Sequence, residues 1–183
     1  MKVFSVVGGC AGKTEIVRRL VAELAGRGLR VSTVKRVPET VDLEKPGSGT
    51  WKHREAGAQE VILASTSRMA LLREMPTDED EPDVEALLAR LAPVDIVFLE
   101  GFRLTYYPKL EFVQPERDRR LIALDDPLVL AVTAETPIKA PVPFLPLADI
   151  GGLADFVLLN ATAPGAGVDW EPVESEYSAA SAF

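Results

Sequence analysis

Cysteine and histidine are almost absent from this chain: its 183 residues include one of each, Cys10 and His53. A lone cysteine cannot form an internal disulfide, and a lone histidine rules out a metal site built on paired histidines. There is no run of about eighteen or more apolar residues, so no membrane-spanning helix is expected. The start, MKVFSVVGG, indicates a buried strand and not a signal peptide, so a cytoplasmic location is expected.

Basic residues are also fewer than acidic residues in this chain. The chain has 20 Lys and Arg against 28 Asp and Glu, a formal net charge of −8. A field of that sign disfavours binding to nucleic acid. It does not exclude a nucleotide, because a phosphate pocket needs only local backbone N–H groups and one lysine.

The segment VVGGCAGKTEIVRRL, which starts at Val6, contains most of a phosphate-binding loop. That signature is a glycine, any four residues, and then Gly-Lys-Ser/Thr between a strand and a helix. Gly12, Lys13 and Thr14 supply its end, but only three residues separate Gly12 from Gly8, so the loop is one residue short. The alternative interpretation is a tight turn in which glycine is used only for its dihedral angles.

The surrounding sequence has the pattern that such a loop requires. Residues 3–7 are apolar and β-branched, which predicts a buried strand. Residues 14–27 carry an apolar stripe at helical spacing and end at Gly28, and residues 29–35 predict a second strand. This order is a βαβ unit with parallel strands.

The rest of the chain continues the alternation of strands and helices. Helices are predicted at 51–58, 83–91 and 149–159, strands at 94–102, 108–114 and 128–135, and a β-hairpin from 60–64 and 67–74. The predicted fold is α/β, a doubly wound and mostly parallel sheet of the P-loop NTPase type with an added hairpin. Residues 1–160 are expected to form this domain, and residues 161–183, rich in Ala, Gly, Pro, Ser and Glu, a disordered tail.

The loop residues have separate predicted roles. Lys13 would reach the β- and γ-phosphates, and Thr14 would ligate Mg²⁺. Glu15 stands where Ser or Thr often helps to hold the α-phosphate, and its carboxylate would repel a bound nucleotide. The predicted nucleotide-binding residues are Gly8, Gly9, Cys10, Ala11, Gly12, Lys13, Thr14 and Glu15.

Carboxylates elsewhere are candidates for the metal. Glu100 ends an apolar strand in FLEGF, where a P-loop fold places the acid that orders Mg²⁺ or the attacking water. The alternative is an acid that caps the next turn. Asp42 and Glu44 lie in a loop rich in Pro and Gly. They are either additional ligands of the metal or side chains exposed to solvent. The predicted set is Glu100 as the catalytic residue, with Thr14, Glu44 and Glu100 at the metal.

Several further segments resemble one known family. KPGSGTWKHREAGAQEVILAS, MALLRE, FLEGF and PKLEFV, behind the Gly-Lys-Thr, are similar to the molybdopterin-guanine dinucleotide biosynthesis adapter family, MobB, over roughly residues 1–160. The resemblance implies a GTP-binding, weakly hydrolysing homodimer of the P-loop type. It implies assistance to the guanylyltransferase that attaches GMP to molybdopterin, with related cofactor-handling proteins as further partners.

The chain departs from that family near the phosphates. The loop is short, Arg36 follows Lys35 where family members tend to carry histidines, and Gly49 replaces an aspartate. Two hypotheses therefore remain. The first is a GTP-binding adapter, at most a weak GTPase. The second is a P-loop-derived scaffold that binds proteins and has lost productive nucleotide binding.

Overall fold

The computed structural model describes residues 1–9, 11–37, 43–74, 83–118 and 120–166. The chain divides into two compact units, one formed by residues 1–36 and the described residues from 83 onward, the other by the described residues of 37–82. In chain order the elements are β1 (Lys2–Val7), α1 (Lys13–Gly26), β2 (Val31–Lys35), α2 (Gly49–Glu55), β3 (Glu60–Ala64), β4 (Met69–Arg73), α3 (Val84–Leu88), β5 (Ile96–Glu100), β6 (Lys109–Phe112), a 3₁₀ turn (Ile122–Leu124), β7 (Val129–Ala134), β8 (Phe144–Pro146) and α4 (Ile150–Asn160).

The first unit is built on a six-stranded sheet in the order β2-β5-β1-β6-β7-β8. All five neighbouring pairs are parallel. Residues Val3–Val7 of β1 and all of β5 are buried, as expected for central strands covered on both faces. The predicted proximity of these two strands is confirmed, since they pair directly from Lys2 with Ile96 to Val6 with Glu100.

Helices cover both faces of this sheet, which confirms the predicted doubly wound fold. On one face α1 and α4 pack against the sheet, and Leu20, Leu24 and Leu153 are fully buried beside Phe4 and Phe98. On the other face Leu88 of α3 lies in a separate cluster with Val97 and Leu99 of β5. No helix in the described residues is long and apolar enough to span a membrane.

Two features of the first unit have no counterpart in the sequence-based expectation, and the disordered tail at 161–183 stays a prediction. Strand β8 was not predicted, because its three residues lie among prolines and are too short to show a period. Thr162, at the start of the predicted tail, exchanges two backbone hydrogen bonds with Val3, at N–O distances of 2.7 and 3.2 Å. Residues 167–183 of that tail lie outside the described residues.

The second unit contains α2 and the predicted hairpin. The side chain of Ser48 caps α2 by accepting a hydrogen bond from the amide of Trp51 at 3.2 Å. Strands β3 and β4 pair antiparallel from Glu60 with Arg73 to Ala64 with Met69, which confirms the hairpin.

Candidate functional site

The phosphate-loop segment keeps the predicted strand–turn–helix shape. Strand β1 ends at Val7 and α1 begins at Lys13. Gly12, the residue before the helix, has φ of +118°, and no side chain caps the helix there. The amides of a helix start attract an anion when no side chain takes them. The described loop residues Gly9, Ala11 and Gly12 are exposed, so the outer side of the turn is open to a ligand, whereas Cys10 lies outside the described residues.

The end of β6 and the loop after it press against this turn. A Cβ atom at Gly8 would lie 2.4 Å from the carbonyl oxygen of Phe112, and one at Gly12 would lie 2.5 Å from its ring carbon Cε1. A Cβ atom at Gly9 would lie 2.7 Å from Oδ1 of Asp118. These contacts require glycine whether or not a phosphate binds. Sequence reasoning missed them because strand order is needed to place β6 beside β1.

Lys13 bends back over the turn that precedes it. Its Nζ donates a hydrogen bond to the carbonyl oxygen of Gly8 at 2.9 Å. The ammonium group therefore lies across the loop, where its positive charge is held against the backbone of the turn.

Thr14 and Glu100, which were predicted to cooperate, are in direct contact. The Thr14 hydroxyl donates a hydrogen bond to Oε1 of Glu100. Lys35 completes a triangle, since its Nζ lies 2.8 Å from Oγ1 of Thr14 and 3.1 Å from Oε1 of Glu100. Glu100 is buried, and 46% of the Lys35 side chain is exposed.

The backbone explains how these three residues meet. Lys35 and Glu100 are the last residues of adjacent parallel strands and are register partners. Parallel partners at one register position present their side chains on the same face. Thr14 lies in the first turn of α1, which starts at the same edge of the sheet. The sequence predicts Lys35 only as the end of a strand, and the structure places it beside Thr14 and Glu100.

Glu15 has its own partner on α1. Arg18 donates to both of its carboxylate oxygens, at 2.8 and 2.6 Å. The hydrogen bond from Arg18 lowers the pKa of Glu15. The carboxylate thus stays ionised, with a guanidinium against its charge, and this pairing weakens the repulsion expected from sequence alone.

Glu44 belongs to the second unit. Its side chain is 4% exposed, and its Oε2 accepts a hydrogen bond from Nε of Arg54 at 2.6 Å. Arg54 also donates to Glu74 at 3.0 Å. The metal role of Glu44 stays a prediction, and Asp42 lies outside the described residues.

The described residues contain no group of three or more histidine, cysteine or acidic side chains that could hold a metal ion by itself. Thr14 and Glu100 nevertheless offer two hard oxygen atoms close together. Mg²⁺ is commonly held by one or two protein oxygens together with substrate phosphates and water. These two oxygen atoms therefore fit Mg²⁺ that is bound together with a nucleotide. They are too few to hold Mg²⁺ by protein ligands alone.

A cavity of about 290 Å³ lies at the carboxyl ends of β6 and β7. The loop that lines it brings Asp118 close to Gly9 of the phosphate turn, and Asp118 accepts a hydrogen bond from the amide of Gln114 at 2.7 Å. Its lining consists of Val113, Gln114, Pro115, Glu116, Arg117, Glu135 and Thr136. Ligands of open α/β sheets bind at this edge.

A parallel sheet whose first strand leads through a glycine turn into Gly-Lys-Thr, with an acid at the end of the adjacent strand, defines a P-loop-like α/β protein. The family model described as molybdopterin guanine dinucleotide synthesis protein B, MobB, matches residues 3–135. The chain belongs to the MobB family, which confirms the resemblance inferred from the sequence.

Individual proteins of the same family are also similar to this chain. The chain is 34% identical over 152 residues to the molybdopterin-guanine dinucleotide biosynthesis adapter protein of Escherichia coli K12, covering 80% of this chain and 85% of that one. It is 31% identical over 147 residues to the protein of the same name from Haemophilus influenzae, covering 80% and 82%. A crystal structure of molybdopterin-guanine biosynthesis protein B superimposes with a TM-score of 0.65 at 26% identity, covering 86% of this chain and 97% of that one.

Proposed function

We propose that this protein is an adapter of molybdopterin guanine dinucleotide biosynthesis that binds GTP with Mg²⁺ at its phosphate turn. The adapter role is supported by family membership and by the names of the two bacterial relatives. The nucleotide is supported mainly by one observation. At the start of α1, Lys13 reaches back across the glycine turn and Thr14 is bonded to Glu100.

Each residue then has a definite task. The amides of the turn and of the start of α1 hold phosphate oxygens, and Lys13 moves from the Gly8 carbonyl onto the phosphates. The Thr14 hydroxyl and the Glu100 carboxylate would hold Mg²⁺, which neutralises phosphate charge when bound. The guanine base would occupy the cavity beside Gln114, at the same edge of the sheet.

We further propose that hydrolysis is weak. Glu100 is the candidate acid for ordering an attacking water, but with nucleotide bound its carboxylate would be engaged as a ligand of Mg²⁺ beside Thr14. A carboxylate that holds the metal ion would not be free to take a proton from the attacking water as a general base. Bound GTP would therefore be cleaved more slowly than in a typical GTPase. Slow cleavage suits an adapter that assists a guanylyltransferase.

The experiment is calorimetric titration of Mg-GTP into the wild type and into Lys13→Gln, with Lys139→Gln as the control. Lys139 is an exposed lysine of the first unit and takes no part in the contacts described for the turn. Loss of a charged hydrogen bond to phosphate should weaken binding by about 10- to 100-fold in Lys13→Gln, whereas the control should match the wild type. If the wild type binds no GTP at millimolar concentration, the scaffold hypothesis replaces this one.

We also propose a homodimer formed through the hairpin of the second unit. Ile62 and Leu71 are register partners, as are Ala64 and Met69, so these four side chains share one face. That face is exposed, with Ile62 at 62% and Met69 at 73%. A two-stranded sheet with a bare apolar face is unstable alone in water, and a second copy offers a matching surface.

Light scattering tests the dimer. Ile62→Glu should convert it to a monomer at micromolar concentration, because a buried carboxylate would face the apolar surface of its partner. Leu159→Glu, at an 82% exposed leucine of the first unit, should remain dimeric. A wild-type monomer would contradict the proposal.

A further inference from the structure

Lys35 occupies the position in which the proposed function requires a metal ion. Its Nζ lies 2.8 Å from Oγ1 of Thr14 and 3.1 Å from Oε1 of Glu100. These are the two oxygen atoms assigned to Mg²⁺ above. The ammonium group is placed there by backbone register, because Lys35 and Glu100 are opposite each other at the ends of β2 and β5.

The ammonium group and a divalent ion cannot share these oxygens. Mg²⁺ binds oxygen at about 2.0–2.1 Å, so an ion touching both atoms would lie within a few ångströms of Nζ. Three positive charges in so small a space, beside a single buried carboxylate, repel strongly. Lys35 must therefore leave before a metal ion enters.

The side chain of Lys35 is able to leave. It is 46% exposed, and its flexible stem ends at the edge of the sheet. Lys109 shows the contrast, because it is fully buried and held by Thr105 and Asp126. Among the described residues, Lys35 would give up two polar contacts when it moves, those to Thr14 and Glu100, and contacts to phosphate oxygens can replace them.

We propose that Lys35 is a built-in counter-cation that holds the metal position between Thr14 and Glu100 and excludes divalent ions until a nucleotide arrives. The inference rests on the proposed nucleotide function for its purpose. Phosphates supply the negative charge that draws Lys35 off Glu100, so metal and nucleotide enter together. Lys35 is then a specificity-determining residue: with it, the site binds the metal–nucleotide complex in preference to the free metal ion.

The test uses Mn²⁺ alone, with electron paramagnetic resonance to measure the free ion against nucleotide-free protein. The variants are Lys35→Gln, which removes the charge, and Lys35→Arg, which keeps it, with Lys139→Gln as the matched control. Lys35→Gln should bind Mn²⁺ at least about tenfold more tightly than the wild type, because the repelling charge is gone. Lys35→Arg and the control should bind as weakly as the wild type. Adding Glu100→Gln to Lys35→Gln should abolish the gained site.

Two results would overturn the inference: equal Mn²⁺ affinity in the wild type and Lys35→Gln, including binding by neither, or a gained site that survives Glu100→Gln. Since no nucleotide is present, these results are independent of GTP affinity. A wild type that fails to bind GTP while Lys35→Gln gains the Mn²⁺ site would refute the proposed function and leave this inference standing.

Discussion

Replacing Gly12 by alanine tests the packing of the phosphate turn. Gly12 has φ of +118°, and its added Cβ would lie 2.5 Å from Cε1 of Phe112. A left-handed conformation costs an L-residue about 1–2 kcal/mol, and forcing a side chain to move in a packed site costs about 1–3 kcal/mol. Together they predict that Gly12→Ala lowers the free energy of unfolding by about 2–5 kcal/mol.

Two other glycines separate these contributions. Gly28 has φ of +84° with nothing within 4 Å of the added Cβ, so Gly28→Ala should cost only the conformational part, about 1–2 kcal/mol. Gly26 is helical and also has nothing within 4 Å, so Gly26→Ala should be neutral or stabilise by up to about 1 kcal/mol. Urea unfolding followed by circular dichroism measures all three. Equal losses for Gly12→Ala and Gly28→Ala would refute the contact with Phe112.

Three further predictions concern charged residues. Lys109→Met leaves the Asp126 carboxylate buried without its ammonium partner and should lower the free energy of unfolding by about 3–5 kcal/mol, and adding Asp126→Asn should restore part of the loss in urea unfolding. Burial raises the pKa of Glu111, so the folded state binds a proton more readily than the unfolded state. Stability of the wild type relative to Glu111→Gln should therefore increase, in melts at a series of pH values, as the pH falls from 7 toward the unfolded pKa of about 4.3. Glu15→Thr should tighten Mg-GTP binding by up to about fivefold in calorimetry, a modest gain because Glu15 is exposed and paired with Arg18.

Local pattern was sufficient to predict the elements that carry the site. The apolar run of β1, the helical stripe of α1 and the turn between them are short-range signals that need no knowledge of the rest of the chain. The meeting of Thr14 and Glu100 was also predictable, because Thr14 follows one strand and Glu100 ends another, and the carboxyl ends of parallel strands share one edge of the sheet.

Strand order and side-chain direction were not available from the sequence. Phe112 contacts Gly8 and Gly12 only because β6 is the neighbour of β1, and nothing local specifies that neighbour. Lys35 meets Glu100 through a register that depends on β2 lying beside β5. A lysine at a strand end is ordinarily a solvated residue, and the family resemblance marked only its neighbour Arg36 as a position near the phosphates.

The Arg18 side chain changes the electrostatic effect expected of Glu15 at the phosphate turn. Position alone places its charge at the helix start, against a bound phosphate. The structure adds Arg18 one turn later, with both carboxylate oxygens bonded to the guanidinium. Which way a long side chain turns is decided by its partner, and the i, i+3 spacing was the only sequence signal for that partner.

A crystal structure with Mg²⁺ and a non-hydrolysable GTP analogue tests the central claim most directly. The account predicts phosphates against the amides of the glycine turn, Lys13 moved from Gly8 to the phosphates, and Mg²⁺ bound to Thr14 and Glu100 in the place of the Lys35 ammonium. A nucleotide bound elsewhere, or one bound at the turn with Lys35 still between Thr14 and Glu100, would contradict it.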